Sequence, residues 1–252
     1  MIRSFYNAVS SMITMENKQN TIVNNMSNAN TTGYKSQELE TESFQDVLIQ
    51  NRDKLAGTMN VPQTIGSLNL GTKVNTVVTK FTQGDLRATD NQTDFGINGR
   101  GFFAIQKGNQ TVFTRDGGFT VGNNGNLLTT TGDTVLSTTN QPIYVGDSKF
   151  TLGANNTINV PGQAPQTILT ADFADYTKLK KIGDNYYSGD SPIYNAKVDV
   201  KQNYLEASNV NVTNEMVNML TTMRNFETNQ KVVSMIDETL NKASNEVGTA
   251  RG

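Results

Sequence analysis

The chain has 252 residues, a formal net charge of −2, and only 17% charged side chains. That length suits one or two domains with a real core, and the near-neutral balance gives little pull toward nucleic acid or an anionic membrane. Cysteine and histidine are absent, which excludes thiol and imidazole catalysis, disulfides and the usual zinc ligand sets.

The first element is a stripe. Ile2, Phe5, Val9 and Met12 step by three, four, three, and the count continues through Glu16, Gln19, Val23 and Met26. This spacing predicts one helix over residues 2–28 with a coiled-coil face, about 40 Å long. Glu16 and Gln19 interrupt the seam, either as a solvated break or as a register-setting device. The N-terminus has no unbroken apolar run and reads poorly as a secretory signal. No run of 18 apolar residues exists to cross a bilayer as a helix.

The stretch NNMSNANTTGYKS, Asn24 to Ser36, follows. Asparagine can end a helix by adopting the left-handed region and bonding its own backbone. Gly33 permits a positive φ. Tyr34 offers a ring to anchor the exit, and Lys35 is expected to stay solvated or to meet a neighbour's carboxylate. Residues 1–35 thus read as a coiled-coil helix and joint.

Residues 36–70 read as a linker, with a possible short helix in Ser43–Leu55 using Phe44, Val47 and Leu48. Residues 71–203 read as a central β domain. Of 21 glycines, 18 lie between Gly57 and Gly189. Runs such as KVNTVVTKF, GFFAIQ and TVFTR are punctuated by turn pairs including Asp116-Gly117, Asn124-Gly125 and Gly132-Asp133. That is the rhythm of an antiparallel sandwich or barrel. Gly99-Arg100-Gly101 matches a dinucleotide fingerprint in letters, but it precedes a strand-like run instead of opening a helix, so it reads as a turn or bulge. Asp90, Asn91 and Asp94 lack the calcium-loop spacing. No cofactor, metal or small-molecule substrate is expected.

Residues 204–252 repeat the design of the start. Met216, Met219, Met223 and Phe226 continue through Gln230, Val233, Asp237 and Leu240. Thr213 is placed as the cap, with Glu215 in the first turn where the helix dipole favours an acid. Lys242 lies near the far end, and Gly248 is expected to end the helix. All methionines but Met59 lie in the first 26 residues or between Met216 and Met235. The whole is an α+β chain: long N- and C-terminal helices forming a coiled coil, with a central all-β domain. The six apolar seam residues of the first helix supply roughly 9–18 kcal/mol if fully buried, and ordering the helix costs about as much. The ends are therefore expected to be disordered in the single chain and to fold when copies pack together. A helical-bundle core and an assembly of copies both fit the methionine stripes. A secreted binding module or adhesin with helical oligomerisation ends also fits, and carboxylate-only catalysis stays formally open.

Three stretches carry a resemblance. Asn24, Asn25, Asn28, Thr32, Gly33, Tyr34 and Lys35 match an N-terminal signature of the bacterial flagellar rod and hook proteins. Leu205, Glu206, Ser208, Asn209, Val210 and Asn211, then Glu215, Met216, Met219, Arg224, Phe226, Glu227 and Lys231, match the C-terminal signature. FTQGDLRATDNQTDFGINGRGFFAIQ resembles the family's entry to the β domain. The resemblance implies a structural, non-enzymatic subunit of the flagellar basal body, built of an inner helical tube and an outer β layer. It implies copies of itself, other rod and hook proteins and the flagellar type III export apparatus as partners. The room between the end modules fits a rod subunit, and a distal-rod-like one, better than a hook subunit.

Overall fold

The computed structural model describes residues 2–51, 55–56, 59–60, 63–146, 149–194 and 198–249. It divides into two compact units. Unit 1 holds Met1–Met26, Gln37–Val78 and Val212–Gly252, and unit 2 holds Ser27–Ser36 and Thr79–Asn211.

Unit 1 contains α1 (Ile2–Ser27) and α2 (Val212–Thr249). At 1.5 Å per residue α2 is about 57 Å long. Glu215 lies in its first turn, as the dipole favours. The helix begins one residue before Thr213, which therefore sits inside the first turn and not at the cap. It also runs through Gly248 to Thr249: one glycine costs a helix about 1 kcal/mol, too little to stop a long one.

The rest of unit 1 is two-stranded ribbon. Strand β1 (Gln37–Ser43) pairs with β4 (Thr72–Thr79), and β2 (Val47–Asn51) pairs antiparallel with β3 (Gln63–Leu68). The expected short helix in Ser43–Leu55 is thus a strand. Val47 opposes Leu68 and Ile49 opposes Gly66, so β-branched side chains sit where extended backbone suits them. The pairing partner, about 20 residues on, leaves no mark in the local pattern. Within this stretch residues 52–54 lie outside the described set.

Unit 2 is strand-rich. Its longer strands include β5 (Leu86–Ala88), β6 (Phe95–Asn98), β7 (Phe102–Lys107), β8 (Gln110–Thr114), β9 (Thr157–Asn159), β10 (Thr170–Asp172), β11 (Lys180–Gly183), β12 (Tyr186–Ser188), β13 (Asp199–Gln202) and β14 (Tyr204–Glu206). All of their recorded pairings are antiparallel. Gly99 and Gly101 take positive φ in the turn from β6 to β7, where no helix follows.

Strand β7 explains the run GFFAIQ. Phe102 and Ala104 face one cluster with Phe113, Leu169 and Tyr187. Phe103 and Ile105 face the other, with Val112, Phe119 and Leu127. A strand covered on both faces reads as a continuous apolar run because alternation has nothing polar to show.

Candidate functional site

The polar stretch after α1 does not form a solvated joint. Residues 27–36 belong to unit 2, and Gly33, Tyr34 and Lys35 are buried there. Lys35 is fully buried, its ammonium 2.5 Å from Oε1 of Glu206, itself fully buried. A lysine in a polar run is normally exposed; this one is neither solvated nor left for a neighbour's carboxylate, but meets a carboxylate of its own chain. The same ammonium donates to the Thr82 carbonyl at 2.8 Å.

Glu206 is the hub. Its Oε1 also accepts from the Gly84 amide at 3.0 Å, and Oε2 accepts from Nη1 of Arg115 at 3.2 Å. Its main-chain carbonyl accepts from the Gly33 amide at 2.8 Å. Strand β14 supplies the residue, with Glu206 opposite Leu86 of β5. Arg115 donates further to the Gly99 carbonyl at 2.8 Å and has its guanidinium over the Phe102 ring. One carboxylate late in the chain thus joins Lys35, which precedes the strands of unit 2, to Gly84 and Arg115.

Neighbouring bonds hold the same seam. Thr32 donates to Oδ1 of Asp116 at 2.7 Å, and Nδ2 of Asn185 donates to the Thr32 carbonyl. Oδ1 of Asn209 accepts from the Ser36 amide at 2.7 Å, while its Nδ2 donates to the carbonyls of Lys80 and Thr82. The Ser208 hydroxyl accepts from the Val210 amide. Leu205 is half-buried opposite Arg87 of β5.

Burial governs the electrostatics. It lowers the affinity of Lys35 for its proton, Glu206 pulls in the opposite direction, and Arg115 lowers it further. Asp116 is pushed up by burial, against the bonds from Thr32 and Gly118. The Tyr187 phenol is pushed far above its usual range by burial, and its hydroxyl has no hydrogen-bond partner among the described residues.

Gly33 is required twice over. Its φ is +66°, and a Cβ there would lie 2.5 Å from the carbonyl carbon of Arg115 and 2.7 Å from its oxygen. The asparagines of the joint do something other than expected. None of Asn24, Asn25, Asn28 and Asn30 takes a positive φ. Asn25, in unit 1, instead uses its amide as a strand edge: it donates to the Gln37 carbonyl at 2.8 Å and accepts from the Gln37 amide at 2.9 Å. It also donates to Glu215 of α2 at 3.4 Å. Asn28 closes a turn with Thr31. Asn24 and Asn211 are exposed, the latter just before α2.

The helical stripes lie elsewhere in unit 1. The buried face of α1 carries Ala8, Thr14, Ile22 and Asn25. Of the stepped positions, Phe5 and Val23 are exposed, and Val9, Met12 and Met26 are half-buried. The Ile2 side chain falls outside the described residues. On α2, Met216, Met223 and Leu240 are exposed, as are Val217 and Leu220; Met219, Phe226 and Val233 are half-buried. Among the described residues the fully buried apolar side chains of unit 1 are Ala8 and Ile22; every other one lies in unit 2.

Arg115, Asp116, Thr82 and Gly84 escaped the sequence reading. The run TVFTRDGGF shows an arginine at a strand end beside a turn, where a solvated cation is the ordinary occupant. The one available signal was the pair of opposite charges, Lys35 and Glu206, in the two end stretches.

A β unit closed by the stretches just after α1 and just before α2, and two long helices with exposed apolar side chains, define a structural subunit. Three family signatures match: "Flagella basal body rod protein" over residues 5–35, "Flagellar hook protein FlgE/F/G D1 domain" over 96–172, and "Flagellar basal body rod FlgEFG protein C-terminal" over 201–246. The chain is 31% identical to a flagellar basal-body rod protein FlgG of Bacillus subtilis, covering 97% of this chain and 99% of that one. It is 31% identical to the flagellar hook-basal body complex protein FlhO of the same organism, covering 98% and 99%. A FlgG of Agrobacterium fabrum is 33% identical over 94% of this chain and 96% of its own. The chain belongs to the flagellar basal-body rod protein family, as a structural rod subunit of the basal body. These relationships do not favour the adhesin reading.

Proposed function

We infer that copies of this chain build a helical tube, with α1 and α2 as a coiled-coil inner wall, and that the tube carries motor torque across the envelope to the hook. One observation supports this most: unit 1 leaves its apolar surface uncovered. Leu220 is 58% exposed, Met223 44% and Val23 50%, in helices whose buried apolar side chains, among those described, are Ala8 and Ile22. Fully burying one such side chain is worth about 1.5–3 kcal/mol, so a neighbouring copy is the natural cover. Phe5, Val9, Met12, Val23 and Met26 of α1 would pack with Met216, Met219, Met223, Phe226, Val233 and Leu240 of α2 in neighbouring copies. Methionine suits contacts that differ from copy to copy.

Other rod and hook proteins would be its axial neighbours, and the flagellar type III apparatus its export route. A distal position in the rod is part of this proposal. The test is a deletion strain. A non-motile strain whose basal bodies stop short of a complete rod supports the reading; motile cells with complete basal bodies refute it.

A further inference from the structure

The two end signatures meet at one buried carboxylate, and that carboxylate is the last member of the group along the chain. Lys35 and Glu206 are 171 residues apart, and Arg115 and Glu206 are 91 apart. Two cations share this one acid. Their other recorded acceptors are neutral carbonyls, Thr82 for Lys35 and Gly99 for Arg115. The nearby Asp116 carboxylate is engaged by Thr32 and Gly118. Closed without Glu206, the site would hold two buried cations and no counter-charge. Burying an unpaired charge is among the largest penalties a fold can meet.

We propose that Glu206 is a charge latch: the seam of unit 2, residues 32–36 against 80–85, stays open until the C-terminal signature delivers this carboxylate. Lys35 and Arg115 hold the seam apart while they are unpaired, and Glu206 draws them together. The Gly33 and Gly84 amides also gain their acceptors only then. A chain delivered N-terminus first would present both cations long before the acid, and so could not seal this unit prematurely. That use rests on the export route proposed above; the latch itself rests on the geometry.

The experiment uses the full chain, with amide hydrogen exchange read by mass spectrometry. Glu206→Gln keeps the shape and removes the charge. It should raise exchange in residues 32–36 and 80–88 by about a hundredfold or more. A triple variant, Lys35→Met, Arg115→Met and Glu206→Leu, removes all three ions and keeps the volume roughly constant. It should hold protection within about tenfold of the natural chain, because exchanging a buried ion group for apolar side chains is often neutral. If Glu206→Gln does not fold, the triple variant still decides. Unchanged exchange in Glu206→Gln overturns the latch. So does a triple variant as open as Glu206→Gln, because lost packing would then explain both. Neither result depends on whether the protein forms a rod, which the deletion strain tests separately.

Discussion

Gly33→Ala adds one methyl group at a site that refuses it for two reasons. The residue holds φ +66°, where a Cβ costs about 1–2 kcal/mol. The new Cβ would also press on the main chain of Arg115 and Asp116, and main chain cannot rotate away. Forcing a methyl group into a filled site costs a further 1–3 kcal/mol or so. The sum is about 2–5 kcal/mol, a large part of the roughly 5–15 kcal/mol that holds a typical fold together. Gly108→Ala is the control. Its φ is +60°, and nothing lies within 4 Å of the added atom, so it should lose only the backbone cost of about 1–2 kcal/mol. Thermal unfolding followed by circular dichroism compares the two, and hydrogen exchange locates the loss to unit 2. Equal losses in the two variants would refute the claim that residue 33 lies against the Arg115 main chain.

Other predictions test other contacts. Asn25→Ala leaves the Gln37 amide and carbonyl without their side-chain partner and should cost about 1–3 kcal/mol, seen as faster exchange at the start of β1. Tyr187→Phe removes a buried hydroxyl that has no partner among the described residues and should leave chemical-denaturation stability unchanged or raise it by about 1 kcal/mol. Tyr187 also predicts a pH effect. Burial raises its folded value above the unfolded one of about 10, so its contribution is complete below pH ~10 and is lost as pH climbs toward the folded value; melts across that range, beside an absorbance titration of the tyrosines, check the sign. Phe226→Asp should leave unfolding of unit 2 intact and abolish motility, as scored in soft agar.

The helices were legible because their apolar steps recur locally, over 26 residues in α1 and 38 in α2. The β character of unit 2 was legible from turn pairs and β-forming runs. Strand β2 was not, because its partner β3 lies beyond any local window and Phe44, Val47 and Leu48 space equally well on a helix. The latch was hidden for a deeper reason. Burial of Lys35 depends on Arg115 and Glu206, which reach it only through the fold, and a lone lysine in a polar run looks solvated. The apolar steps alone did not tell which side of α1 its own unit covers: Ala8 and Ile22 are buried, while Phe5 and Val23 remain exposed.

The central claim is that the open helix faces are packing surfaces between copies in the rod. Electron micrographs of basal bodies test it, taken from a strain whose sole copy carries Leu220→Asp and Met223→Asp. Both side chains are exposed in the single chain, so unit 2 should fold as before. The account predicts basal bodies with a missing or truncated rod; complete rods built from this variant would contradict it.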